Sequence, residues 1–578
     1  MAHTSFKNRT RQGLSKAPGS IEVARGIVLI ALEWTIQLCP FVFGLFFPWA
    51  SAVVSLILTA LLCLLVRSGT LHLTRSIPFL TAAAIVVFHL GGIIWGVDRG
   101  MAPVGAVQFL PLPLFVLLLE QFALEQRMCL LRRTPYVASA MVVLSFVLGI
   151  IVPVDGWFFV AGRQAGFFQY PNTYAVYLLF AAVLVLFGSP LLFGRIPWLA
   201  ILMLGIVLSG SRTAFVLLLA VLLVFLFREK ASGDRLCVLV LGFLVLLGSV
   251  FYVLLSGERS GIGRFLTISL SSSEFLGRLL YAQDALPVIL KHPLGLGYTG
   301  YRWLQGSFQT GVYSVQHVHN ELLQLLLDVG WIPTGLFLWA LWKSLCSPVG
   351  GFCRKMLLAV LLLHSLLDFD TQFVSIALFR FLVMNTEVKA TKPIRKPLIA
   401  VLPLILSSVL SIWIGTSSIL HYLGNSSVAL RIDPVYTDAL VSLLSDSSAA
   451  ETDLLADRIL ALNSSVSFAY DAKAQNAFSA GDVVAFVSRK QEAIRLSRYQ
   501  LQEYLDYFDM LRITYERLLK RNDLAGAARC LEEIRQIPGM LEEVKAQTSP
   551  LGWRIRDLPS LELPPDYLTW LNVHRTAA

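Results

Sequence analysis

The feature that most constrains this chain is a succession of nearly uncharged apolar runs. As helices, runs of about 20 residues cross a hydrocarbon core roughly 30 Å thick. They fall near residues 26–46, 49–66, 77–96, 101–120, 135–154, 172–193, 196–209, 213–227, 236–255, 320–342, 356–369, 371–385 and 398–420, thirteen in all. Composition agrees: 56% of the 578 residues are apolar and 15% charged, against about 25% charged in soluble globular chains. A single soluble domain is excluded. The expected fold is an all-α polytopic helical membrane protein of about 12 to 13 spans, with a long external loop and a C-terminal soluble α-helical domain.

Charge orients the threading. Lys and Arg are retained on the cytoplasmic side of short connections. With the N-terminus inside, the inside segments hold 21 Lys/Arg, among them Lys7, Arg9, Arg11, Lys16, Arg25, Arg127, Arg132 and Arg133, and the outside segments hold eight. The expected map is a basic cytoplasmic N-terminus over 1–25, nine spans within 26–255, an extracytoplasmic loop over 256–318, four spans within 319–420 and an extracytoplasmic domain over 425–578. No removable signal peptide is expected, because no small-residue cleavage site follows the basic start. The localisation expected is a bacterial cytoplasmic (inner) membrane, and the active face should be external.

The net charge of +10 belongs to the membrane part, since residues 425–578 carry 17 Lys/Arg against 21 Asp/Glu. The one sizeable soluble domain therefore lacks the basic face a nucleic-acid partner requires. Seven scattered cysteines without a CxxC support neither a disulfide framework nor a zinc site. In 425–578 apolar residues recur at helical spacing, and Gly481-Asp482 and Asn522-Asp523 each precede an amphipathic stretch. That pattern fits tetratricopeptide-like helical hairpins, or an irregular helical bundle without a true repeat.

Four external clusters place charge beside apolar helices, where it is costly and usually functional. They are Gly162-Arg163-Gln164-Ala165-Gly166 running to Tyr170-Pro171-Asn172; Ser209-Gly210-Ser211-Arg212-Thr213; Gly277-Arg278 followed by His292-Pro293-Leu294-Gly295-Leu296-Gly297-Tyr298; and His317-Val318-His319-Asn320-Glu321 followed by Gly330 to Gly335. Converging arginines suit a diphosphate, because guanidinium stays charged and donates bidentate hydrogen bonds to phosphate oxygens. Histidine suits proton removal from a hydroxyl near neutral pH. Together they indicate group transfer from a phosphate-activated donor. The plainer readings are snorkelling headgroup contacts for the arginines and a capping or packing role for His319.

Other chemistries fit less well. Asp368-Phe369-Asp370 has the form of a metal-binding DxD, but that motif meets nucleotide sugars in the cytosol and here falls externally. His317 and His319 supply two metal ligands without a spaced third. A lipid-linked glycan transporter would want charges at the midplane of broken helices and an internal repeat. Glu33, His89, Asp328 and Arg380 do lie within spans, but no repeat is evident. A scaffold recruiting envelope proteins through the C-terminal domain remains compatible with catalysis.

The Ser-Gly-Ser-Arg turn, the His-Pro-Leu-Gly-Leu-Gly loop, His319-Asn320 before Gly330, and His364-Ser365-Leu366-Leu367-Asp368-Phe369-Asp370 resemble the O-antigen ligase and polymerase superfamily of bacterial membrane proteins, best over residues 160–385. The resemblance implies a glycosyltransferase that moves a glycan from undecaprenyl diphosphate to an acceptor hydroxyl on the external face, without metal, nucleotide or other cofactor. It implies that Arg212, Arg278 and, less closely matched, Arg163 hold the diphosphate and that His319 is the general base. Ser211, His317, Asn320, Glu321, His364 and Asp368 would support them, Asp368 and Asp370 by orienting a histidine or binding sugar hydroxyls. Pro333 departs from the second glycine common in ligases, so ligase, polymerase and protein oligosaccharyltransferase stay open. The acceptor is accordingly a glycan, a lipid or a protein, and the membrane lipids and an envelope protein complete the expected partners.

Overall fold

The computed structural model describes residues 18–154, 156–229, 231–256, 272–384 and 397–574. The basic residues Lys7, Arg9, Arg11 and Lys16, the loop arginines Arg259 and Arg264, and the basic stretch 389–396 lie outside them. The protein is an all-α, multi-pass membrane protein. Six segments are long and apolar enough to span a bilayer, namely Glu22–Phe41, Pro48–Ser68, Ile77–Trp95, Ala102–Leu119, Leu124–Ile151 and Val401–Tyr422. Shorter apolar helices include Pro171–Phe187, Ile196–Ser209 and Val374–Val383. Strand among the described residues is confined to the hairpin pairing Phe159–Val160 with Arg163–Gln164.

The interior is built around Pro171–Phe187 and Ala102–Leu119. Both are apolar all round and buried on every face, as a central helix must be. Peripheral helices instead expose large aliphatic side chains such as Val87, Ile94, Ile150 and Leu406, which a hydrocarbon solvent tolerates.

Three expected spans are interrupted. The run 101–120 divides into Ala102–Phe109 and Pro111–Leu119, because Pro111 has no N–H to continue the ladder. The run 320–342 divides at Gly330 into Glu321–Val329 and Trp331–Cys346. Gly330 has φ 74° and ψ −164°, a conformation essentially reserved for glycine. The run 356–369 ends early: its helix Gly351–Ser365 stops before Asp368, and an irregular segment carries Asp368 and Asp370 to Val374–Val383. Expected loop 256–318 contains helices Ser273–Lys291 and Gly300–Phe308, which pack with Glu321–Val329 as a helical cap.

The C-terminal domain consists of short helices packed in sequence, with hairpins formed by Ser467–Ala480 with Val483–Leu496 and by Leu501–Lys520 with Leu524–Gln547. Gly481 closes one helix in the left-handed region (φ 80°), and Asp482 and Asp523 accept from Ala485 N and Gly526 N to open the next. The domain is latched to the connection after Ile77–Trp95. Fully buried Asp98 accepts from Thr437 Oγ1 (2.7 Å), Asn463 Nδ2 (3.0 Å) and Met101 N (3.1 Å).

Candidate active site

The glycine-rich loop is a backbone clasp. Leu296 N donates to Leu327 O (2.5 Å), Gly297 N to Asp328 O (3.1 Å) and Trp331 N to Pro293 O (3.0 Å), tying 293–297 to the break at Gly330. Side chains are excluded there: a Cβ on Gly295 would lie 2.6 Å from Asp328 O, and one on Gly330 2.3 Å from Pro293 O. The clasp fixes the end of Glu321–Val329, the helix whose start follows His319. Asn320 caps that helix, accepting from Leu323 N (3.1 Å) and donating to Leu366 O (2.9 Å). The capping role belongs to Asn320, which frees the imidazole of His319 to project from the turn.

Asp368 is the hub. Its carboxylate accepts from Tyr170 Oη (2.9 Å) and Asn172 Nδ2 (2.7 Å), and lies 3.4 Å from His319 Nδ1 and 3.9 Å from Arg278 Nη2. The His319 contact is an ion-pair approach without hydrogen-bond alignment. Asn172 Oδ1 accepts from Arg163 Nη2 (2.6 Å), whose Nε donates to Ser209 O (2.7 Å) at the Ser-Gly-Ser-Arg turn. Ser211 caps the next helix by accepting from Ala214 N (3.4 Å), and Arg212 is that helix's first residue. Arg212 lies 3.7 Å from Glu274, one turn before Arg278 on Ser273–Lys291. All four clusters are thus joined in one polar network.

Access differs across this network. The side chains of Arg212, Arg278 and His319 keep 21%, 23% and 22% exposure, whereas Asp368 keeps 3%. The cations and the imidazole are presented outward, and the carboxylate is sealed behind them. Three guanidiniums face two carboxylates, Asp368 and Glu274, so the surround favours an anion.

The remaining expected residues are placed deeper. His364 and Asp370 form a fully buried pair at 2.6 Å, and Thr173 Oγ1 donates to Asp370 (3.0 Å). This pair anchors the irregular segment that presents Asp368. Glu321 turns away from the site and is paired, fully buried, with Arg380. His317 packs against Phe369 and Phe46, at centroid distances of 5.0 and 6.1 Å. Burial, with His319 and Arg302 nearby, pushes the His317 pKa down to about 3, so the ring is a neutral part of an aromatic wall. No group of three His, Cys, Asp or Glu side chains able to hold a metal occurs among the described residues. Sequence reasoning gave Tyr170 and Asn172 no role, although they flank Pro171 beside the Arg163 cluster. Their contact with Asp368 spans nearly 200 residues and leaves no local signal.

Residues 197–340 match a family model described as O-antigen ligase. The match contains Ser211, Arg212, Arg278, the glycine clasp and His319, and excludes Arg163, Tyr170, Asn172 and Asp368. No curated protein and no solved structure matches the chain.

Proposed function

We propose, from the premise that residues 197–340 match a family model described as O-antigen ligase, that this membrane protein transfers a glycan from undecaprenyl diphosphate to an acceptor hydroxyl on the external face of a bacterial inner membrane. A membrane glycosyltransferase of ligase or polymerase type, acting on lipid-linked glycan and a glycan acceptor, is the coarse activity of that family. The observation that carries the finer reading is the convergence of Arg278, His319, Tyr170 and Asn172 on Asp368.

The geometry supports a role for each residue. With Asp368 beside Nδ1, the His319 tautomer protonated at Nδ1 is favoured, leaving Nε2 as the base. Nε2 takes the acceptor hydroxyl proton as its oxygen bonds to the anomeric carbon. The bond from that carbon to the phosphate oxygen breaks, and its electron pair leaves with the lipid diphosphate. Arg212 and Arg278, with Arg163 behind them, offset the charge that develops there, an effect worth roughly 3 to 4 kcal/mol per preorganised donor. Attack opposite the leaving group inverts the anomeric centre. The residues present need no metal for this charge balance.

The test is mass analysis of lipid-linked glycans from cells carrying wild-type or His319→Ala protein at equal membrane level. Single repeat units on undecaprenyl diphosphate accumulate in the variant if the enzyme polymerises, and long lipid-linked chains if it ligates. An unchanged lipid-linked pool removes the reading. The charge bias also predicts that a cysteine placed in exposed Val484 is labelled from outside intact cells. Labelling only after lysis reverses the topology. The helical hairpins of the C-terminal domain support a tetratricopeptide-like surface for an acceptor or envelope partner.

A further inference from the structure

The helix that carries Arg278 lies in the cap, outside the membrane-spanning bundle. Glu274 and Arg278 share one face, toward the site, and Leu276 and Leu280 point the other way into a small apolar cluster, against which Tyr281 also packs. Ile555 and Leu551 of the C-terminal domain complete that cluster with Tyr313. Around it, Arg556 N donates to Ser273 Oγ (2.6 Å) at the start of the helix, and Ser549 N donates to Thr310 O (3.0 Å). Arg498 Nη2 donates to Gln309 O. Thr310 and Tyr313 are in turn tied to Asp284 of the same helix, through Thr310 N (2.8 Å), Thr310 Oγ1 (2.6 Å) and Tyr313 Oη (2.8 Å). Gly552 and Gly311 meet backbone to backbone: a Cβ on Gly552 would stand 2.3 Å from Thr310 O.

We propose that the segment Ser549–Arg556 of the C-terminal domain is a positioning element of the donor site, clamping the helix Ser273–Lys291 so that Arg278 is held toward Asp368. The inference rests on the diphosphate-binding reading of Arg278 and extends it to a part of the chain 270 residues away. The clamp contacts the first two turns of the helix at Ser273, Leu276 and Leu280, on the side away from Arg278. The domain then serves catalysis directly, in addition to any partner it binds.

Two variants of the full-length protein test this, Gly552→Ala and Ile555→Ala, with Val484→Ser as a control on an exposed position of the same domain. Gly552→Ala wedges the contact apart without left-handed strain of its own, and Ile555→Ala removes apolar packing. In lipid nanodiscs, amide hydrogen exchange of 273–291 should accelerate in both and not in the control. KM for the lipid-linked donor should rise about 10- to 100-fold with a smaller change in kcat, the scale expected when a binding group is misplaced by about 1 Å. Ile555→Val should restore both readouts. Unchanged exchange of 273–291 overturns the clamp, and faster exchange with unchanged donor KM overturns its positioning role. A null effect of Arg278→Lys on donor KM, with exchange still accelerated by Gly552→Ala, instead removes the diphosphate reading and leaves the clamp standing.

Discussion

Among individual residues, Asp368 shows how a buried carboxylate becomes useful by being satisfied. Tyr170 and Asn172 occupy it with hydrogen bonds, so its charge is fixed in place and available to His319 and Arg278 at the rim. In the proposed site the arginines would act through shape as well as charge. Arg212 opens a helix beside Glu274, and a planar fork at that position can meet two phosphate oxygens together. Arg212→Lys keeps the charge and loses the fork, so transfer should fall by about 10²-fold. Single-turnover rates with purified lipid-linked donor check this, and near-normal rates would make Arg212 a headgroup contact.

Interrupted helices do most of the positioning at the scale of single elements. The breaks at Gly330 and at 366–373 bring irregular backbone to the site, where it is enclosed by protein and held by bonds such as Trp331 N to Pro293 O and Asn320 Nδ2 to Leu366 O, the condition under which irregular backbone is tolerated near a membrane. Gly330 is needed twice, once for its positive φ and once for its approach to Pro293 O. Gly330→Ala should therefore destabilise the cap by about 1 to 3 kcal/mol or more. Thermal unfolding in detergent measures it, with a further loss of transfer as His319 shifts. Retained stability would show that 293–297 can move aside.

Across the whole molecule, the C-terminal domain is joined to the cap through Ser549–Arg556 and to the bundle through Asp98. Burial, reinforced by the charge of Asp438, raises the Asp98 carboxyl pKa to about 7 despite the three donors it accepts from. The sign follows from linkage. Below pH 4 the proton is held in both the docked and free states. As pH rises toward 7 the free state ionises first, so docking weakens over that window and levels off above it. Hydrogen exchange around Thr437 and Asn463, corrected for intrinsic rates, should be slower at pH 5 than at pH 7.5. Asp98→Asn should flatten the difference, and an undiminished difference would place the titration elsewhere.

The all-α membrane class, the helical C-terminal region, its helix starts after Gly481 and Asn522, and the clusters around Arg163, Arg212, Arg278 and His319 were all legible in the sequence. Hydropathy, capping residues and charged groups beside apolar runs are local signals, set by the solvent each residue must face. The continuity of the spans was not legible, because a helix through Gly330 has the same hydropathy as one that stops there. Nor was the division of labour among the polar residues. Asn320 rather than His319 caps its helix, Glu321 turns inward to Arg380, and Asp368 rather than Asp370 faces the histidine of the site. The Asn320 cap is local, but Glu321 meets Arg380 across 59 residues, and Asp368 is fixed by Tyr170 from 198 residues away. Only packing decides such pairings, since a buried charge takes the partner that tertiary structure brings to it.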